Sequence, residues 1–424
     1  MPSLDELRTS LVEAKADRSK FLDPQRVVQW YMEFQETLET IEDPTSDEKA
    51  LDLLHMFSLA LLGVGFSRTV PGNYAMLFNF EKLLAHLELR PMYTIPEMHM
   101  VKRRLEDIQE LIDVPSDDPL AVSAKVREMA RAAVLRCFHS VEKIQEVLDT
   151  IAEDDVHLYS QVINLRRSVF NTVLEQDFHP GDLDQYKGKI DQITHHLETR
   201  GQSTSWLIRH HLESSRFISS YFSDGPRIAK DLAPEYNELL KINRDLSLFV
   251  VTQRWTLRET DLYNYQMRID HLDHQVASTL KSSLKNFFPK PDATTEEIQR
   301  QFLNGAPYIL QFYLIRKALA IVYKLLDGAE PVAESLNTVY CQLRTIKRCL
   351  FDVKRAGGLS SLNELYPYRM QLANIEKRRV DDKFIVDGQA PPGQGILTNI
   401  LVECYDLIYE LEVDLEERPQ DDSD

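Results

Sequence analysis

The sequence predicts an all-α protein of long amphipathic helices in antiparallel bundles, with three related helical units as the expected organisation. Three observations carry this reading. Only 14 glycines occur in 424 residues, and Leu, Glu, Lys, Arg and Ala fill the long polar–apolar stretches, a composition that favours helix over strand. Apolar residues recur at intervals of three and four, the spacing of one helix face. Helix-start signals recur too: Ser3 with Glu6, and Thr45 with Glu48, have the form of capping boxes.

Taken in order, the elements are as follows. Leu51–Phe66 is apolar but short, and it holds Asp52 and His55; Ala306–Leu326 is broken by Gln311, Arg316 and Lys317. A membrane span needs about 20 apolar residues without such charges, so both runs are predicted to be buried core helices. Gly63-Val64-Gly65-Phe66-Ser67-Arg68 superficially resembles a phosphate loop. It lacks the third glycine of a dinucleotide fingerprint and the G-K-S/T end of a Walker loop, so it is read as a glycine-capped helix terminus. Leu135, Phe138, Val141, Ile144, Leu148 and Ile151 form one apolar stripe, and Leu158, Val162, Leu165, Val169 and Val173 another.

The most regular segment runs from Pro331, suited to a first helical position, to Arg355, with Gly357-Gly358 as the stop. Val332, Leu336, Val339, Leu343, Ile346, Leu350 and Val353 make a heptad-like seam there. Three heptads are short for independent pairing, so the seam is assigned to the core of an antiparallel bundle. Loops are expected at 43–44, 114–119, 179–181, 224–226, 288–291 and 389–395, where Pro, Gly and Asp gather.

A chain of this length exceeds the roughly 250–300 residues at which single cores stop growing. L-x-P marks at Leu89-Arg90-Pro91, Leu232-Ala233-Pro234 and Leu365-Tyr366-Pro367 suggest a repeat. The expected division is 1–150, 151–290 and 291–415, each a helical bundle, followed by a disordered acidic tail at 416–424.

Charge and cysteines narrow the function. Asp and Glu outnumber Lys and Arg by 67 to 49, giving −18, whereas a nucleic-acid binder needs a positive footprint. Nucleic acid is therefore not an expected partner. Cys137, Cys341, Cys349 and Cys404 form no C-x-x-C pair and read as small buried thiols in a reducing compartment. The first residues, MPSLDELRTSLVEAK, are charged too early for a secretory signal. A cytoplasmic and nuclear location is expected, with no membrane span.

No catalytic residue is nominated: neither Gly-x-Ser-x-Gly nor H-E-x-x-H occurs. His195-His196 and His210-His211 flank Gly201 and invite a metal reading, as do His271 and His274. Bundle metal sites pair such histidines with inward Glu, and adjacent histidines point to different faces, so no metal and no cofactor are expected. Lys102-Arg103-Arg104 and Lys377-Arg378-Arg379 are basic runs in an acidic chain. Each reads either as a solvated, dipole-complementing helix turn or as a dock for an anion or acidic partner. The second adjoins a β-prone stretch at 380–386 and the turn-rich GQAPPGQG. The candidate binding residues are therefore Lys377, Arg378, Arg379, Tyr366, Tyr368 and Gln394, with a purely structural clasp as the competing reading.

This segment resembles a fungal family of uncharacterised proteins. The resemblance rests on Leu365-x-Pro367, Arg379-Val380-Asp381-Asp382-Lys383-Phe384, Pro392-x-Gln394-Gly395 and Glu403-Cys404-Tyr405-Asp406-Leu407; the family more often has glycine where Asp382 stands. It implies an all-helical nucleocytoplasmic protein with no assigned reaction, in a setting of proteasome and stress homeostasis. The functional expectation is a non-enzymatic interaction or adaptor protein whose partners are other proteins. The alternative is a small-anion or metabolite-binding protein, or an unrecognised enzyme, using the C-terminal basic and Gly/Pro segment.

Overall fold

The described residues, 2–17, 19–114, 120–175, 177–200, 205–228, 230–252, 259–280, 294–328 and 332–416 of a computed structural model, are almost wholly helical. The helices are α1 (Leu4–Ala16), α2 (Pro24–Leu38), α3 (Glu48–Gly63), α4 (Tyr74–Leu89), α5 (Ile95–Asp113), α6 (Ala124–Leu148), α7 (Val156–Val173) and α8 (Asp184–Arg200). They continue as α9 (Trp206–Tyr221), α10 (Ala233–Thr252), α11 (Glu259–Leu280), α12 (Thr295–Gly305), α13 (Ile309–Asp327), α14 (Asn337–Arg355), α15 (Tyr366–Glu376) and α16 (Gln394–Glu416). One two-stranded antiparallel hairpin, β1 (Arg379–Val380) and β2 (Lys383–Phe384), interrupts them. Residues 115–119, Gly201, 288–291, Pro331 and the tail beyond Glu416 lie outside the described residues.

Local signals explain the starts. The Ser3–Glu6 capping box forms. The Thr45–Glu48 box does not: Asp43 Oδ1 accepts from the Thr45 amide and hydroxyl, and Asp47 caps α3 by accepting from Ala50 N. An Asp two residues before Thr45 is a stronger local acceptor than the distant helix amides. At the other end of α3, Phe66 N donates to Leu61 O at 2.8 Å with Gly65 at φ 95°. This is a Schellman-type glycine terminus, as the sequence predicts.

The two apolar runs become the centre. α3 is buried from Leu53 to Gly63, and α4 and α13 are buried on most faces. Helices apolar all round belong inside other helices, and α13 packs against α4, α10 and α11 while α4 packs against α3 and α6. Buried amides tie them together. Asn79 Nδ2 donates to Leu319 O at 3.1 Å, and Asn243 Nδ2 to Leu314 O at 3.0 Å. No helix among the described residues is long and apolar enough to cross a membrane. On α6 the buried face runs Val126, Met129, Ala133, Cys137, Val141, Ile144, Leu148. Leu135 points to solvent, because the buried face of α6 runs instead through Ala130, Ala133, Val134 and Cys137.

Buried side chains form two cores. One runs from Leu7 in α1 to Leu326 in α13, so helices of the expected units 1–150 and 151–290 share it. The other, Leu336 to Leu411, belongs to α14–α16. The heptad seam is internal to this second core, through Tyr340, Leu343, Ile346 and Leu350. It starts later than the sequence suggests. Val332 lies before the helix because Ala333 is extended, its N–H bound to Pro392 O at 3.0 Å, and a 3-10 turn intervenes.

The partner helix runs parallel, not antiparallel. Lys347 meets Glu403 at 2.7 Å and Lys354 meets Glu410 at 2.8 Å, each one heptad further along both helices. α15 then supplies the antiparallel neighbour, with Tyr405 bonded to Glu376 and Arg369 paired with Glu412.

The two cores touch where Gly65 faces Pro392. A Cβ on Gly65 would lie 2.7 Å from Pro392 Cβ, and the residue sits at positive φ. Gly65→Ala is expected to lower stability by about 2–4 kcal/mol through overlap and backbone strain. Gly181→Ala, whose Cβ would meet nothing within 4 Å, should stay within about 0.5 kcal/mol. Urea denaturation of both variants checks the contrast; equal effects would reject the seam.

Candidate functional site

The residues nominated from the sequence gather in the α14–α16 unit but do not converge. Lys377 caps α15 and is exposed. Arg378 reaches back to α14, its Nη1 donating to Gln342 Oε1 at 3.4 Å. Arg379 turns into the hairpin, where Nε and Nη2 donate to Asp382 O at 3.1 and 2.7 Å. The hairpin turn places Asp381 at φ 49° and Asp382 at φ 63°, the left-handed pair of a type I′ turn. Asp382 thus stands where glycine is conformationally favoured, which accounts for the family's preference.

Gln394 serves as a surrogate strand. Its Oε1 accepts from Phe384 N, and its Nε2 donates to Phe384 O and Pro391 O, all within 3.0 Å. Tyr368 packs on the second core, whereas Tyr366 is 66% exposed.

Two grooves flank α14. One, about 520 Å³, lies between α14 and α15 and is lined by Gln342, Thr345, Gln371, Asn374 and Arg378 among others. The other, about 550 Å³, lies between α14 and α16 and carries Arg344, Lys347 and Arg348 beside Phe351 and Ile400. Half of the 18 large apolar residues exposed among the described ones fall in this unit. These include Val402, Tyr405 and Tyr409 on α16 and Tyr366 and Met370 on α15, and Tyr405 reaches across to Glu376 at the end of α15.

A second constellation lies in the larger body and was not nominated. At its centre α7 carries Arg166-Arg167, facing the end of α4, the start of α5, α9 and α13. Arg167 grips Glu97 bidentately, at 2.7 and 2.6 Å, and donates to Met92 O at 2.6 Å. Glu97 also accepts from Thr94 N at 2.9 Å. Burial opposes this carboxylate, but Arg167 outweighs it and holds its pKa below the usual range.

Arg166 and Arg316 have no such carboxylate partner. Arg166 Nη1 donates to His211 Nδ1 at 2.9 Å, and Arg316 Nη1 touches Met92 Sδ at 3.5 Å. Neither forms an ion pair with a carboxylate among the described residues. Arg90 lies over the Phe312 ring, 3.9 Å from its centroid, a cation–π contact. Burial pushes Arg90 down to about 9 and Arg166 and Arg316 to about 10, with Arg166 adding repulsion at Arg90 and Arg167 at Arg316.

These arginines are deeply surrounded by protein, yet each keeps intermediate exposure. That combination marks side chains lining a recess, not side chains packed into a core. The walls are aromatic: Tyr93 and Tyr159 are buried, and Tyr313 stacks on Phe170 at 4.8 Å. Lys317 joins from α13, bonded to Asn171 Oδ1 at 2.9 Å. A largely enclosed cation without a counter-charge, as at Arg166 and Arg316, is costly even after relaxation, so this pair opposes folding unless something compensates it.

The other sequence candidates are separate. Arg104 is taken up by Asn73 and Asp327. His210 and His211 face the arginine recess, whereas His195 and His196 lie on exposed positions of α8. No group of three metal-ligating side chains occurs among the described residues. A signal for the recess does exist in the sequence: Arg316 and Lys317 interrupt an otherwise apolar run, and Arg90 sits in the first L-x-P mark.

Comparison with known proteins bears out the resemblance to an uncharacterised fungal family. The family described as "Protein of unknown function (DUF2408)" matches residues 207–259 and 329–423, that is α9–α10 and the α14–α16 unit. The chain is 27% identical to "Cu(2+) suppressing and bleomycin sensitive protein 1" of Saccharomyces cerevisiae, over 98% of this chain and 89% of that one. It is 28% identical to a "CUB1 family protein" of Schizosaccharomyces pombe, over 98% of this chain and 94% of that one. No solved structure matches.

Two buried histidines, His55 and His211, and the partly buried His210 predict a pH response. Burial lowers His55 to about 4 and His210 to about 3, and lowers His211 well below its ordinary value, Arg166 adding to the last two. The folded state keeps these rings neutral while the unfolded chain protonates near pH 6.5. Stability is therefore fully present above pH 6.5 and falls as pH drops towards the folded values, by about 1.4 kcal/mol per unit per histidine. Urea denaturation between pH 7 and 5 should show this slope, and His210→Gln should lessen it.

Proposed function

We propose that this protein is a non-enzymatic helical interaction protein whose α14–α16 unit is the docking element for other proteins. The observation that carries the reading is the concentration of exposed apolar side chains there, Tyr366, Met370, Val402, Tyr405 and Tyr409 among them. A concentration of exposed apolar side chains on one unit favours a role in binding, and tyrosine is enriched in interface cores. The unit is also braced for presentation. A parallel helix pair with heptad-spaced ion pairs, an antiparallel third helix and the Gln394-locked hairpin fix the surface before a partner arrives, which lowers the ordering cost of binding.

Of the residues nominated from the sequence, Tyr366 contributes to this surface and Arg378 to the adjoining groove. Lys377 is a free-standing rim charge suited to steering an acidic partner. The match of the family model to this unit supports giving it the shared role. The Saccharomyces cerevisiae relative's name refers to Cu(2+) suppression and bleomycin sensitivity. We extend this to a role for the present chain in stress homeostasis, exercised through protein contacts in the cytoplasm and nucleus, with proteasome components as the first partners to examine.

Purification of the tagged full chain from cells, beside a Tyr366→Ala/Tyr409→Ala variant, tests the reading. Both positions are largely exposed, so the variant should keep its melting temperature while losing most co-purifying protein. Identical recovery from the two chains, or no specific protein from either, would overturn it.

A further inference from the structure

Around Arg166 and Arg316 the sealed polar atoms without a partner are predominantly donors. They include Nε of Arg166, Arg167 and Arg316, and the hydroxyl of Tyr159. His211 adds another, because its Nδ1 accepts from Arg166 and the neutral ring must therefore carry its proton on the partnerless Nε2. His210 Nδ1 also lacks a partner and can take either role. The acceptors at hand are already taken: Glu97 by Arg167 and Thr94, and the Met92 carbonyl by Arg167. A site with surplus donors and surplus positive charge is complementary to an anion rich in acceptors.

We propose that this recess, bounded by Arg90, Arg166, His211 and Arg316, binds a phosphate group, either as inorganic phosphate or carried on a small phosphorylated molecule. Four arguments select this chemistry. Guanidinium groups present paired N–H donors that match phosphate oxygens, and such charge-assisted bonds are about twice as strong as neutral ones. Arg166 and Arg316 have no carboxylate partner among the described residues, and Lys317 beside them is held by Asn171 Oδ1, so the local charge favours a multiply charged phosphate over a single carboxylate. The histidine nitrogen extends the donor set beyond the flat fork of arginine, as a tetrahedral ligand needs. The aromatic walls from Tyr93, Tyr159, Phe312 and Tyr313 lower the local dielectric, which strengthens each of these interactions.

The site is distinct from the surface proposed for protein docking, and neither proposal depends on the other. Its residues come from α4, α7, α9 and α13, all of which contribute to the first core. Arg166 interacts electrostatically with Arg90, Arg316, His210 and His211 alike, so it is the hub of the recess. Phosphate binding would relieve the mutual repulsion of these groups. Ligand affinity and protein stability are therefore coupled here in a manner that a structural arginine cluster does not share.

The test is thermal melting and calorimetric titration of the full chain with inorganic phosphate, pyrophosphate and glycerol phosphate, against chloride at matched ionic strength. A rise in Tm of about 2–5 °C is expected at about 100 times Kd. Preference for free phosphate or for the ester identifies the natural source. Arg316→Met should abolish the shift and weaken binding at least tenfold while leaving the ligand-free Tm equal or higher, since it removes an uncompensated buried cation. Arg316→Lys keeps the charge but not the fork and should fold normally with intermediate affinity. Lys377→Ala should respond as the wild type does. No shift beyond chloride, or an undiminished response in both Arg316 variants, would overturn the proposal.

Discussion

Three of the described helices are apolar on nearly every face, and the need to cover them organises the larger body. α3, α4 and α13 cannot meet water without exposing a large hydrophobic area, at about 25 cal/mol per Å². The amphipathic helices α5, α6, α7, α10 and α11 turn their apolar stripes inward to provide that cover. α13 is the exception within the set, because Arg316 and Lys317 leave a cationic edge that an apolar stripe cannot cover. α7 meets that edge with Arg166-Arg167, and the Arg167–Glu97 pair binds α7 to the start of α5. The recess is thus a consequence of how the spine is covered.

Much of the fold was legible because helix formation is local. Period, caps and glycine stops place most helices, and the buried assignment of Leu51–Phe66 and Ala306–Leu326 follows from length and charge alone. What the sequence concealed depends on long-range packing. Leu135 belongs to a plausible stripe, yet the face of α6 that meets α4 and α5 runs through Ala130, Ala133, Val134 and Cys137. The heptad seam reveals that a partner exists but not its direction, and the parallel pairing of α14 with α16 became possible only because α15 and the hairpin return the chain.

The candidate sites divide in the same way. Lys377-Arg378-Arg379 is conspicuous in sequence because its charges are adjacent, but adjacent residues at the end of a helix diverge in space. Lys377 meets solvent, Arg378 meets α14 and Arg379 folds onto its own turn. Gln394 was nominated as a binding group, and its amide is used in bonding Phe384 as a missing strand would. The arginine recess has the opposite property. Its members stand far apart in the chain with no spacing to betray them, and the interruption of an apolar run hinted that α13 had something polar to face.

The net charge of −18 and a cationic recess are compatible because they act at different ranges. At physiological ionic strength the screening length is about 8 Å, so an approaching polyanion meets an acidic exterior and gains little from charges set deep within the protein. A small anion that enters loses that screening. It then meets guanidinium groups already desolvated, whose reorganisation cost was met when the protein folded. Acidity outside and cations inside therefore act as a filter on size. In the proposed phosphate site, burial thus adds a preference for a compact anion to the paired donors that recognise the group itself.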